Sequence, residues 1–286
     1  MGKMSGWHEV ADSVFQRRYD PLDVSVCAIV GGTDLLLVDT RSSHRQADDI
    51  RRDLRELGPA AVRAVVNTHA HYDHSFGNYR FGPDSDLDVP IYGHELVPAH
   101  HETYEVPMLA ARIERGDEPV EEWREVVITA PTHLVGAHTA LHVGDRLVEL
   151  HHLGRGHTDN DLLLHVVDAD AWLVGDLVEE SGPPMYGSGS FPLDWPLTID
   201  ALRPRLSDGS VVVPGHGAPV DRRFVQEQQR DLRTVAETIE ALFAAGVSAE
   251  AALHEGKSHW PFPVDGLASA VRDGYRQLQE GPHADT

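Results

Sequence analysis

Lysine is nearly missing from this chain: Lys3 and Lys257 are the only two in 286 residues, and the formal charge is -22. So acidic a surface repels phosphate backbones, and scattered arginines alone would have to hold a nucleic acid, so none is expected as a ligand. Cysteine occurs once, as Cys27, which excludes an internal disulfide. No apolar stretch approaches the roughly 20 residues that a membrane-spanning helix needs. The N-terminal "MGKMSGWHEV" has no apolar run behind its lysine, so an export signal is not expected either. Together these absences predict a cytoplasmic globular protein without a membrane partner, and its 41% hydrophobic content suffices for a sizeable core. No linker or repeat is visible, so one domain over residues 1–286 is the simplest division. Oligomeric state is not legible.

What is present is a series of short apolar runs. "VSVCAIVGGTDLLLVDT" reads as two strands, 24–30 and 34–39, joined by the turn at Gly31-Gly32. Ile50, Leu54 and Leu57 recur at helical spacing before the stop at Gly58-Pro59. "AVRAVVNT" is a third strand, and "VPIYGH" and "VVITAP" are two more. Between those two, residues 95–116 have helical periodicity interrupted by Pro98 and Pro107 and read as an insertion. Strand patterns resume at "TALHVG", "RLVELHHL", "DLLLHVV" and "AWLVGD". A helix at about 196–206, the strand "SVVVPG" and helices from about 221 onward finish the chain.

One stretch, "VVNTHAHYDHSFGN", stands out. His69, His71, Asp73 and His74 follow a strand end, where open α/β folds place ligands. On an extended segment His69, His71 and Asp73 lean to one side, and His74 swings beside them as the chain turns. Imidazole and carboxylate are suitable donors for Zn²⁺, and a catalytic site needs only three protein ligands per ion. Three further segments extend the set. "GRGHTDND" holds His157 in a glycine-bearing turn; "WLVGDLV" ends an apolar strand on Asp176, where an acid is costly unless paired. "VVVPGHG" sets His216 between Gly215 and Gly217.

This ordered set resembles the metallo-β-lactamase superfamily of metallohydrolases, over roughly residues 22–220. The resemblance implies an α/β fold of four layers, an αβ/βα sandwich of two mixed β-sheets with external helices. It also implies that His69, His71 and His157 hold a first metal and Asp73, His74 and His216 a second, with Asp176 bridging them. Histidine at position 71, where the di-iron flavoprotein branch has an acidic residue, favours two zinc ions, with iron or manganese as other choices.

The expected chemistry is hydrolysis of an ester, thioester or lactone-type bond by a metal-bound hydroxide. Asp73 would be the catalytic residue that orients it, and the rate would rise through an apparent pKa near about 7. The alternatives are β-lactam hydrolysis and a mononuclear iron sulfur oxygenase on the same fold. Departures from known branches narrow the substrate. "LVEESGPPMYGSGSFPLDW" lacks the Gly-Cys-Gly-Arg-Phe-like stretch of the glutathione thioesterases. Glu179 stands where the acyl-homoserine lactonases place a tyrosine. The glycine- and proline-rich loop offers Met185, Tyr186, Phe191 and Trp195 as an apolar substrate wall, with Tyr104 and Met108 opposite. Arg155 is the candidate anchor for an anionic group. A small, partly apolar molecule is thus the expected partner.

Overall fold

The computed structural model describes residues 6–281. The first half runs β1 (His8–Ala11), β2 (Val14–Tyr19), β3 (Val24–Gly31), β4 (Asp34–Val38), α1 (His44–Asp53), β5 (Ala61–Val66) and the short α2 (Tyr72–Ser75). It continues through β6 (Ile91–His94), α3 (Val97–His100), α4 (Val106–Arg115), α5 (Val120–Glu125) and β7 (His133–Val135). The second half comprises β8 (His138–Val143), β9 (Arg146–His151), β10 (Leu163–Val166), β11 (Ala171–Glu179), α6 (Trp195–Leu202) and β12 (Val211–His216). After these come α7 (Arg222–Ala244), α8 (Ala249–Glu255) and α9 (Ala268–Glu280).

Strand pairing follows the order β7-β6-β5-β4-β3-β12-β11-β10-β9-β8, with β2 also on β3 and β1 on β2. Each half is mixed. In the first, β2, β3 and β4 are antiparallel while β4 to β7 run parallel. In the second, β8 to β11 are antiparallel and β11 pairs β12 in parallel. The halves meet through the pair His216↔Val24. The two expected sheets are therefore joined at one point, and that point lies beside the candidate site.

Side-chain alternation builds the layers, because successive residues of a strand face opposite ways. Cys27, Ile29, Leu36 and Val38 share one cluster with Val148, Leu150, Leu164 and Leu173, so the two halves pack face to face. Their alternates Val26, Ala28, Leu35 and Leu37 pack outward against Ala47 and Ile50 of α1. On the far side Leu163, Trp172, Val174 and Val212 meet Val225, Leu232, Val235 and Ile239 of α7, together with residues of α6, α8 and α9. The order is helix, sheet, sheet, helix. Burial on both faces explains why these strands read as continuous apolar runs. Leu164 is fully buried between the sheets. Leu164→Ala should therefore cost about 2–5 kcal/mol, read as a lowered denaturant midpoint with an unchanged slope.

Two local expectations need correction. "VVITAP" forms no strand; Val126 and Ile128 instead pack on Phe76 and Trp123, and the ladder position beside β6 goes to β7. The prolines do not interrupt the 95–116 segment, because each sits in the first turn of its helix, where the missing N–H costs nothing. A π-helical turn, His101–Glu105, joins the two pieces. The strands β1 and β2 were not anticipated at all. No helix among the described residues is long and apolar enough to cross a membrane.

Candidate metal centre

One edge of the sandwich gathers the ligand-type side chains. β5 ends at Val66; His69 and His71 follow in a bent segment rather than the extended one expected, and α2 begins at Tyr72, which places Asp73 and His74 on a helical turn. The β9–β10 loop carries His157, β11 carries Asp176, and His216 is the last residue of β12. Two hydrogen bonds lock the loops together: Ala70 N–H donates to Asn160 Oδ1 at 2.9 Å and Leu162 N–H to Thr68 O at 2.7 Å. All seven side chains are buried and brought into one volume.

His69, His71 and His157 make one triplet. His71 Nδ1 lies 3.1 Å from His69 Nε2 and 2.9 Å from His157 Nε2. The opposite nitrogens are all engaged. His71 Nε2 donates to Ser188 O at 2.9 Å and His157 Nδ1 to Met185 O at 2.9 Å, since a carbonyl only accepts. His69 Nδ1 lies 3.1 Å from Thr68 Oγ1, whose own hydrogen goes to Asp39 Oδ2 at 2.8 Å. These partners assign the tautomers and leave three lone pairs aimed at one another. Burial pushes all three rings below their usual pKa, His157 to about 3, so they are neutral at pH 7. Neutral lone pairs in that arrangement repel unless a cation lies among them. Two ligands on a tetrahedral zinc at 2.0–2.1 Å are about 3.3 Å apart, close to the separations seen here.

Asp73, His74 and His216 make the second triplet. His216 Nε2 is 3.4 Å from Asp73 Oδ2 and 3.3 Å from His74 Nε2. The outward nitrogens are again held: His216 Nδ1 donates to Leu22 O at 2.8 Å, and His74 Nδ1 lies 2.8 Å from Asp39 Oδ2. Burial disfavours both imidazolium forms, but the carboxylates of Asp176 and Asp73 outweigh it and hold both pKa values above the ordinary one. Burial likewise opposes the Asp73 carboxylate, and His74 and His216 overcome it to bring that group down to about 2. Two buried acids thus demand positive charge, which protons or cations can supply.

Asp176 lies between the triplets. Its Oδ2 is 3.4 Å from both His157 Nε2 and His216 Nε2, and its Oδ1 is 3.2 Å from His74 Nε2. No hydrogen bond of acceptable geometry satisfies that buried Oδ1. That orphaned oxygen lies nearest His74 Nε2, and its partner oxygen sits between His157 Nε2 and His216 Nε2, a placement that fits a pair of divalent cations. Gly215 makes this placement possible, since a Cβ there would stand 1.9 Å from Asp176 Oδ1. Gly215→Ala should displace the carboxylate and lower activity at least about tenfold, with loss of bound metal read by elemental analysis.

A cavity of about 450 Å³ opens onto these residues. Leu22, Tyr72, Met108 and Met185 form its apolar lining, and Glu105, Arg112 and Glu179 its charged one. The Arg112 guanidinium lies over the rings of Tyr72 and Trp123, 4.6 and 4.9 Å from their centres. Burial, reinforced by Asp176, pushes the Glu179 carboxyl up to about 8.

The other substrate candidates lie elsewhere. Tyr186 and Trp195 are buried in the helix-side core, edge to face at 5.2 Å, and Trp195 Nε1 donates to Leu177 O. Phe191 lies 4.4 Å beneath the Arg155 guanidinium, which is ion-paired with Asp194. Tyr104 tilts against His100. None of these five lines the cavity, whereas Met108 and Met185 do. Cys27 is buried between the sheets, and burial pushes its thiol up, away from the thiolate form.

Asp39 was overlooked in the sequence. It follows β4 at a left-handed φ of 65°, accepts from Thr68 N–H at 2.8 Å and holds His74. The signal was there: in "LLLVDT" an acid follows an apolar run, as in "WLVGD", although Asp176 lies inside β11 and not at its end as expected.

Comparison with known proteins agrees with this architecture. The profile of the metallo-beta-lactamase superfamily matches residues 19–216. A metallo-beta-lactamase from Pontibacter korlensis superposes with a TM-score of 0.64 at 18% identity, over 80% of this chain and 99% of that one. A stereoselective inverting sec-alkylsulfatase from Pseudomonas sp. gives 0.76 at 18% identity, over 96% of this chain. The chain spans 50% of that sulfatase's length. Both likenesses concern the fold. With a profile match covering β3 to β12, the turn of histidines and the last ligand-type residue, His216, the chain belongs to the metallo-beta-lactamase superfamily, whose members are mostly hydrolases.

Proposed function

We propose that this chain is a di-zinc hydrolase that cleaves an ester, thioester or lactone-type bond of a small, partly apolar molecule. His69, His71 and His157 would hold one cation, Asp73, His74 and His216 the other, with Asp176 shared. The observation that carries the reading is the convergence of the His69, His71 and His157 lone pairs on one point beside Asp176, whose buried Oδ1 has no hydrogen-bond partner. Zinc suits neutral imidazole and carboxylate donors and, when bound, supplies Lewis acidity and brings the pKa of coordinated water to about 7.

The chain's own groups do the rest. Asp73 lines the cavity and can accept a hydrogen bond that orients the attacking water. Asp39 and the carbonyls of Leu22, Met185 and Ser188 hold the rings in the tautomers that face inward. Leu22, Tyr72, Met108 and Met185 would take the apolar part of the substrate. The test is a panel of carboxylic esters, thioesters, lactones and a secondary alkyl sulfate, run on zinc-loaded and chelator-stripped protein. Turnover of one class that vanishes on stripping and returns with zinc is the expected result; turnover indifferent to metal would end the proposal.

A further inference from the structure

A second group of ligand-type side chains lies outside the cavity, on the outer face of the sheet formed by β8 to β12. Cross-strand register places it: His138 of β8 pairs with His151 of β9, and His165 of β10 pairs with Glu149 of β9. Residues 149 and 151 are two apart, so they share a face, opposite to the inward Val148 and Leu150. We infer that His138, Glu149 and His151, with His165 beside them, form a separate binding site for one borderline divalent cation such as Zn²⁺.

Geometry supports it. Ligand atoms of His138, Glu149 and His151 all lie within 4.8 Å of one another. Glu149 Oε2 is 3.5 Å from His151 Nε2 and 3.5 Å from His165 Nδ1. The side chain of His151 is only 10% exposed, yet its Nε2 has no hydrogen-bond partner. An imidazole nitrogen buried next to a carboxylate and left unpaired is costly, and a shared cation would satisfy it.

A plainer role is available, because His165 and His151 also stack over Trp172, with ring centres 4.1 and 5.8 Å away. Covering an indole needs only flat rings. It does not require a carboxylate between two imidazoles, nor a third imidazole from the neighbouring strand, 4.7 Å from His151. Nothing in this cluster belongs to the cavity lining, so its occupancy can be varied without touching the hydrolytic site. The cation would tie β8, β9 and β10 together at the edge of the sheet.

The test is equilibrium dialysis against buffered Zn²⁺ with elemental analysis, comparing the native protein with His138→Ala and Glu149→Gln. His138 is exposed and Glu149 half-buried, so both variants should fold, which circular dichroism checks. The native protein should hold one more equivalent than either variant, with zinc affinity for that equivalent reduced at least about tenfold by each change. Hydrolysis by the zinc-loaded variants should be unchanged. Identical zinc uptake by all three proteins would overturn the inference, whatever number of ions the cavity holds.

Discussion

Asp176→Asn should leave a folded protein that no longer keeps two metals, with hydrolysis reduced by orders of magnitude. Asp176 is the group whose two oxygens reach toward both triplets, at 3.2–3.4 Å from His74, His157 and His216. Asparagine keeps the volume and removes the charge. It also turns one oxygen into an N–H₂ donor, which cannot ligate a cation and would approach the ring nitrogens as a competitor. Because the surrounding layers are built from apolar residues away from this edge, secondary structure should survive, and the loss should appear in metal content before it appears in circular dichroism. Two metals retained together with full activity would remove Asp176 from the bridging position.

His71→Ala should cut activity at least about a hundredfold, because it deletes a ligand-type ring from a triplet on the cavity wall. His71 is the hub of its triplet, with one nitrogen within 3.1 Å of both His69 and His157. Its ring also packs edge-on to His100 at 5.3 Å. The substitution therefore leaves a space the size of an imidazole beside an accessible cavity. Added imidazole should fill it and restore part of the lost rate in proportion to concentration. A rate unchanged by the substitution would take His71 out of the ligand set.

The strands that bury both faces were legible because their residues have no choice but to be apolar. β3, β4 and β11 stand out for that reason. The N-terminal strands β1 and β2 were not, because His8–Ala11 alternates weakly and Val14–Tyr19 carries Gln16, Arg17 and Arg18. The seven ligand-type residues could be picked out because four of them crowd into positions 69–74 and the other three, His157, Asp176 and His216, stand beside glycines or in an apolar run. Their supporting groups were hidden. Asp39 and the carbonyls of Met185 and Ser188 matter through the tautomer they impose, which only contact in space reveals. In a glycine- and proline-rich loop, neighbouring residues part company: Met185 is 64% exposed on the cavity rim, while Tyr186, the next residue, is 4% exposed. Composition shows that such a loop carries aromatics, but not which of them turn into the core.

If the cavity binds two cations through these seven side chains, both must be visible in a zinc-loaded crystal. Anomalous diffraction on crystals of the zinc-loaded protein, collected above and below the zinc absorption edge, addresses it directly. The account predicts two edge-dependent peaks in the cavity, one among His69, His71 and His157, the other among Asp73, His74 and His216, with Asp176 touching both. A catalytically active crystal with no such peak in the cavity, or with a single peak that Asp176 does not contact, would contradict it.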